Sequence, residues 1–157
     1  MEYILQLRQY IGHGPILLVG AAILILDEQD RLLMMKRSDN QCWGIPGGAI
    51  EPGEMLEIAA KRETLEETNL EIVEMSLFGA FSGPELYYKY PNGDEVYNVS
   101  VVYLSREWRG KVRLNDEHSE WKWFAASDIP ADISPPIRPV ITQFRSSFSK
   151  SNAVKEL

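Results

Sequence analysis

An α/β fold is what this sequence predicts, and three observations predict it. Apolar runs of strand length stand on both sides of one long helical segment, so strands precede and follow a helix. An Asn-Gly pair between two β-rich runs marks a hairpin in the second half. Amphipathic stretches near both ends, about 2–12 and 138–149, read as helices. The 157 residues suffice for one domain around one core, so 1–157 is read as a single unit.

Composition narrows the setting. Apolar content is 45% and charged content 25%, the balance of an ordinary globular chain. Cys42 is the one cysteine, which excludes an intrachain disulfide. The chain shows no charged-then-apolar signal at its start and no apolar run near the roughly 18 residues of a membrane span. The expectation is a reducing, cytoplasmic protein without a membrane partner. A net charge of -7 argues against broad nucleic-acid binding through phosphates. A chain this acidic that acts on an anion needs local positive charge, and bound metal would supply it.

The elements follow in order. Ile4, Leu7 and Ile11 share a helical stripe, with Leu5 and Tyr10 beside them, and Gly12 or Gly14 ends the helix. This helix is expected to cover one end of the sheet, with a homodimer contact the other role open to it. His13 and His118 are the only histidines. Loop or surface positions are expected for both, with metal ligation the alternative. Ile16 to Leu26 is nearly continuous in apolar residues and reads as a strand buried on both faces. Asp27 to Asp30 is the polar turn of a hairpin, and Arg31 to Lys36 is the returning strand. Arg37 precedes a polar loop, 38–41. Trp43 to Gly48 forms a short strand and turn whose Gly47 and Gly48 allow the backbone to approach a ligand.

A helix is expected from about Pro52 to about Thr68, and it carries the oddity of the chain. Glu63, Glu66 and Glu67 stand near its end. A helix turns about 100° per residue, so these three share one arc. The macrodipole is negative at that end and disfavours acids there. A divalent cation would offset the repulsion, since hard cations take oxygen ligands. Leu56, Ala59 and Ala60 project onto nearly the same arc, which turns the acids toward a cleft beside the glycine turn. Ile58 and Leu65 form a second apolar stripe, so the helix is expected to pack on two sides. Arg62 can hold a carboxylate by a forked hydrogen bond. A solvated acidic face is the alternative.

Glu71 to Phe81 is the next strand, broken by Ser82-Gly83-Pro84. The hairpin then pairs 85–90 with 95–104 around Pro91-Asn92-Gly93-Asp94. Tyr87, Tyr88, Tyr90 and Tyr97 cluster on it. Cross-strand packing explains them, with a purine stacked on one of them, Tyr87, as the alternative. Asn98 and Ser100 share a face with Val96 and Val102, and are candidates to line the cleft. Residues 108–111 make a basic turn. An acidic loop, Asn115 to Glu120, runs into an aromatic strand. Prolines punctuate 130–139, and Val140 to Phe148 is the last helix, with Ile141, Phe144 and Phe148 on one stripe. Residues 149–157 are polar and expected to fray.

The centre of the chain resembles a known signature. Gly48, five residues, Glu54, seven residues, then Arg62-Glu63-Thr64-Leu65-Glu66-Glu67-Thr68-Asn69-Leu70 looks like the Nudix box, 48–70. Thr64 stands where the signature has an aliphatic residue. Asn69 stands where it has Gly, and Asn is the next best residue for a left-handed C-cap. The resemblance is strongest over 43–70 and extends over about 16–148. It implies the Nudix fold, a mixed sheet between helices. It implies Mg²⁺ or Mn²⁺ held by Glu63, Glu66, Glu67 and a carbonyl of Gly47 or Gly48. Glu54 would support these acids, and Arg62 would orient one of them. A further acid would come from the loop, Glu117 ahead of Glu120, and the general base would be Glu63 or Glu117. Arg37, just before the box, would meet substrate phosphate, with a surface salt bridge as the alternative. The implied activity is hydrolysis of the pyrophosphate of a nucleoside diphosphate linked to another group: a sugar nucleotide such as ADP-ribose, a nucleoside triphosphate such as an oxidised one, a diadenosine polyphosphate or a 5′-triphosphate RNA end, the last disfavoured by the net charge. A nucleotide-sensing domain without turnover is the alternative. Such domains usually lose box acids, and this chain keeps them.

Overall fold

The structure is a computed structural model that describes residues 2–155, with side chains described through 148. Among the described residues, three helices and eight strands follow one another as α1 (Glu2–Ile11), β1 (Ile16–Ile25), β2 (Leu32–Arg37), β3 (Trp43–Gly44), β4 (Gly47–Ala49), α2 (Leu56–Thr68), β5 (Glu71–Phe81), β6 (Tyr87–Lys89), β7 (Glu95–Arg109), β8 (His118–Phe124) and α3 (Arg138–Lys155). Short 3₁₀ turns occupy Pro84–Leu86, Ala126–Asp128 and Pro135–Ile137. The larger sheet has the order β4-β1-β7-β5, with β6 also paired to β7. It is mixed, because β1 runs parallel to β7 and the other pairings are antiparallel. The smaller sheet is antiparallel, β3-β2-β8.

Side-chain alternation explains why helices lie on both faces. Along β1, Ala21, Ile23 and Ile25 meet Ala59 and Ala60 of α2, while Leu24, and Leu26 just beyond the strand, meet Val140, Ile141 and Phe144 of α3. On β2, Leu33 joins the first cluster and Leu32 and Met34 the second, so both sheets share one interior. Ile4 and Leu7 of α1 pack on Ile16, Leu18, Ala49 and Val96, closing one end as expected.

Several sequence expectations need correction. The two-sided burial of β1 holds only in its second half; Leu17 is 74% exposed. Asp27 to Asp30 does turn the chain, with Asp27 N–H bonded to the Arg31 carbonyl. Beyond a single Leu26–Leu32 bridge, however, β1 and β2 part into different sheets. α2 begins at Leu56, not Pro52, because Pro52 and Gly53 form a turn with Gly53 at φ 83°. Ile58 and Leu65 are exposed, so α2 packs on one side only. Glu85 and Leu86 lie in a 3₁₀ turn ahead of the hairpin, and β7 runs on through Trp108 and Arg109. α3 continues past the expected end at 149 to Lys155. The expected fraying of 149–157 therefore meets helical backbone as far as 155, and 156–157 lie outside the described residues. Among the described residues, no helix is long and apolar enough to cross a membrane.

Candidate active site

The site grows from two backbone anchors. Ile23 N–H donates to the Pro46 carbonyl at 3.0 Å, fixing the glycine turn on β1. Trp43 N–H donates to the Asp132 carbonyl at 2.9 Å and Ser134 N–H to the Trp43 carbonyl at 2.8 Å, which draws the 132–137 loop across from the turn. Between them lies a cavity of about 170 Å³. Its lining includes Glu67, Gly47, Gly48, Arg37, Tyr90, Ser100, His118, Ser134 and Pro136.

The carboxylates reach this turn from α2. Gly47 N–H donates to Glu67 Oε2 at 2.9 Å. Gly47 has no room for a side chain, since a Cβ there would stand 2.6 Å from the Ala21 carbonyl oxygen and the Ala22 Cβ. At Gly48 a Cβ would stand 2.5 Å from the Glu63 carboxyl carbon, so glycine lets Glu63 lie directly on the strand. Gly48 is thus explained by the acid it receives, and Gly47 by its close approach to β1.

Arg62 organises the other side of the cluster. Its Nε donates to Glu54 Oε1 at 2.7 Å and its Nη2 to Glu54 Oε2 at 3.0 Å, a two-pronged pair. Its Nη1 donates to Glu63 at 2.7 Å and lies 3.5 Å from Glu66. The fork therefore goes to Glu54, and Glu63 receives a single bond. Glu54 also accepts from Glu51 N–H at 3.0 Å. The Arg62 guanidinium, and then that N–H, hold the Glu54 carboxyl down to about 2.

Burial separates the three box acids. Glu67 is buried, Glu63 is mostly covered and Glu66 is exposed at the rim. Desolvation pushes the Glu67 carboxyl up to about 8; the charges of Glu63 and Glu117 add to this, against the Gly47 N–H. Burial also raises Glu63, against the pull of Arg62. Among the described residues, no three acid, histidine or cysteine side chains form a ready cation cluster; Arg62 pairs with Glu63 and Glu66, and Gly47 N–H with Glu67. The donor set nevertheless fits a hard divalent cation: buried carboxylates repel one another beside a backbone turn, and such a cation would relieve that repulsion.

The remaining candidates fall into place unevenly. Glu117 sits in the turn before β8, exposed, and its charge is felt at both Glu67 and Arg37. Glu120 lies farther along β8, exposed and opposite Lys36. Arg37 lines the cavity and also makes a two-pronged pair with Asp39, at 2.9 and 2.8 Å. Tyr87 and Asn98 are not among the residues lining the cavity. Tyr87 packs on Tyr97 with ring centroids 5.2 Å apart, and Asn98 bonds the Leu86 carbonyl at 3.0 Å. Tyr90 and Ser100 line it instead.

The histidines also divide. His13 is exposed and bonds Asp94 at 2.7 Å. His118, expected at the surface, is buried in the cavity wall at the start of β8. Burial, and then the Arg37 charge, lower its imidazole to about 4. Alternation along β8 could not have flagged it, because Glu120 and Lys122, which share its face, are exposed. The parts of the wall in the proline-punctuated loop, Ser134 and Pro136, carried no periodic signal.

Comparison with known proteins agrees with this geometry. The family model described as the NUDIX domain matches residues 17–144. A putative 8-oxo-dGTP diphosphatase of Bacillus subtilis is 28% identical over 135 residues, covering 85% of this chain and 83% of the relative. An ADP-ribose pyrophosphatase of Methanocaldococcus jannaschii is 31% identical over 109 residues, 68% of this chain and 61% of that protein. The crystal structure of a MutT NUDIX hydrolase from Burkholderia pseudomallei superposes with a TM-score of 0.69 at 29% identity, over 83% of this chain and 98% of the other. With Glu63 and Glu67 gathered on a glycine turn and the family model spanning most of its length, this chain belongs to the Nudix hydrolases.

Proposed function

We propose that this chain is a divalent-cation-dependent pyrophosphohydrolase of small nucleotides. Its substrate is a nucleoside diphosphate joined to a further group, a sugar nucleotide of the ADP-ribose kind or a nucleoside triphosphate. One observation carries the reading: buried Glu67, held by Gly47 N–H, lines a cavity together with Arg37 and with Gly48, on which Glu63 is laid. The relatives named for 8-oxo-dGTP and ADP-ribose support the substrate class. A reducing, cytoplasmic setting fits the single cysteine.

Glu63, Glu66, Glu67, a carbonyl of Gly47 or Gly48, and Glu117 would hold Mg²⁺ or Mn²⁺. When bound, the cation offsets the crowded charge of the P–O–P link and lowers the pKa of water. The chain's own residues do the rest. Arg62 holds Glu63 in place and is itself held by Glu54. Arg37 exchanges Asp39 for a substrate phosphate, to which its fork is matched. Glu117, which makes no ion pair among the described residues, takes the proton of the attacking water, and Glu63 is the other carboxylate in reach of that role. One P–O bond forms, the bridging P–O bond breaks, and two phosphate-bearing products leave.

A panel of sugar nucleotides, dinucleotides and nucleoside triphosphates with Mg²⁺ or Mn²⁺ tests this, run beside Glu66→Gln and Glu67→Gln. Turnover of at least one substrate is expected, with a loss of at least about 100-fold in each variant. Near-full activity in both variants would sink the metal assignment, and no turnover of any substrate would sink the enzyme.

A further inference from the structure

The 111–117 segment lies outside the box, yet it is stitched to both halves of the site. On one side, Arg113 N–H donates to the Thr68 carbonyl at 2.8 Å and Asn115 N–H to the Glu67 carbonyl at 3.4 Å. On the other, Ser38 N–H donates to the Glu117 carbonyl at 2.9 Å. Asn115 stands where these links meet. Its Oδ1 accepts Glu117 N–H at 3.2 Å and lies 3.2 Å from His118 Nδ1. A backbone N–H only donates, so the amide oxygen must face it, which fixes the amide orientation. The same oxygen then requires the proton on His118 Nδ1. His118 is buried, so the ring that completes this arrangement is held by packing.

We infer that Asn115 is a positioning residue for Glu117: clamped by His118, its side-chain oxygen holds the Glu117 backbone while its own N–H joins Glu67. The inference rests on the role given to Glu117 above. It concerns a residue that touches neither substrate nor cation. Without the clamp the turn keeps its Ser38 bond but loses the bond that sets the direction in which Glu117 leaves the backbone. Outer partners of this kind typically change metal affinity or activity by about 10- to 100-fold.

The test uses the full chain with Asn115→Ala, Glu117→Gln, the double variant, His118→Leu and His118→Asn. kcat and KM are measured on the best substrate of the panel, and Mn²⁺ affinity of the free protein by water-proton relaxation. Asn115→Ala is expected to lower kcat about 10-fold or more with KM changed less than about threefold, and to weaken Mn²⁺ as Glu117→Gln does. In the double variant, Asn115→Ala should cost less than about threefold beyond Glu117→Gln alone, since it acts through that residue. His118→Asn, whose amide can donate as Nδ1 does, should keep Mn²⁺ affinity closer to wild type than His118→Leu, which should follow Asn115→Ala. Wild-type kcat in Asn115→Ala, or a full further loss in the double variant, overturns the inference. A wild-type chain that turns over nothing overturns the enzyme reading alone. The Mn²⁺ affinities then decide the clamp: matched weakening in the two single variants supports it, and unchanged affinity in Asn115→Ala overturns it.

Discussion

At the scale of single residues, the box carries a destabilising position and a stabilising one. Thr64 stands where an aliphatic residue is usual; it is fully buried, and its hydroxyl has no partner among the described residues. A buried polar group left unpaired costs about 1–3 kcal/mol. Thr64→Val keeps the shape and removes the hydroxyl. It should raise stability by about 1 kcal/mol, a melting shift of about 2–4 °C for a chain of this length. A lower urea midpoint in the variant would contradict this account of the site. Glu54 works in the other direction. Its carboxyl is lowered from the usual 4.5 to about 2 by Arg62 and Glu51 N–H. A lowered folded pKa favours the ionised form, so its contribution is complete above the unfolded value of 4.5 and disappears as pH falls toward 2. Glu54→Gln should therefore unfold more easily than wild type at pH 7, with the two acid-unfolding curves converging as pH drops below about 4. A difference that stays constant from pH 7 to pH 2 would show that the charge of Glu54 is not what matters.

At the scale of elements, α2 shows how far a sequence reaches and where it stops. Periodicity placed Ala59 and Ala60 against the sheet and Glu67 inward, because those positions depend only on the helical repeat. Asn69 takes the left-handed C-cap, at φ 63°, and donates to the Leu65 carbonyl. Asn69→Gly should be nearly neutral and Asn69→Ala should cost about 1 kcal/mol, read by thermal melting. Equal stability of the Gly and Ala variants would deny the cap its role. The start of α2 was misread because Met55 caps without a side-chain bond and Pro52-Gly53 turns instead. Ile58 and Leu65 were misread because an apolar stripe says a face could be covered, not that anything covers it. The parting of β1 from β2 was also hidden. A polar turn between two apolar runs looks the same whether the strands stay paired or enter different sheets. His118 and Tyr90 reach the cavity through tertiary packing, which local pattern does not encode.

At the scale of the whole molecule, the site is a meeting of pieces that none of the elements holds alone. α2 and β4 bring the acids, the end of β2 brings Arg37, the start of β8 brings His118, and the 132–137 loop closes the wall. The shared interior of the two sheets holds these pieces in register, and so it forces Glu67 into a buried position near Glu63 and Glu117. The fold therefore stores an electrostatic cost at the candidate site. Two stability changes follow. In chelated, cation-free buffer at pH above about 8, Glu67→Gln should melt at a higher temperature than wild type, because it removes a buried charge while keeping an acceptor-sized group at Gly47 N–H. With Mn²⁺ at about 100 times its Kd, wild type should gain about 2.7 kcal/mol, a rise of about 5–10 °C that excess chelator reverses. Glu67→Gln should gain much less, so the order of the two melting temperatures narrows or inverts. If both proteins rise equally with Mn²⁺, the cation binds elsewhere and the burial of Glu67 needs another explanation. If only wild type rises, the same burial that weakens the cation-free fold is what makes the cation bind there.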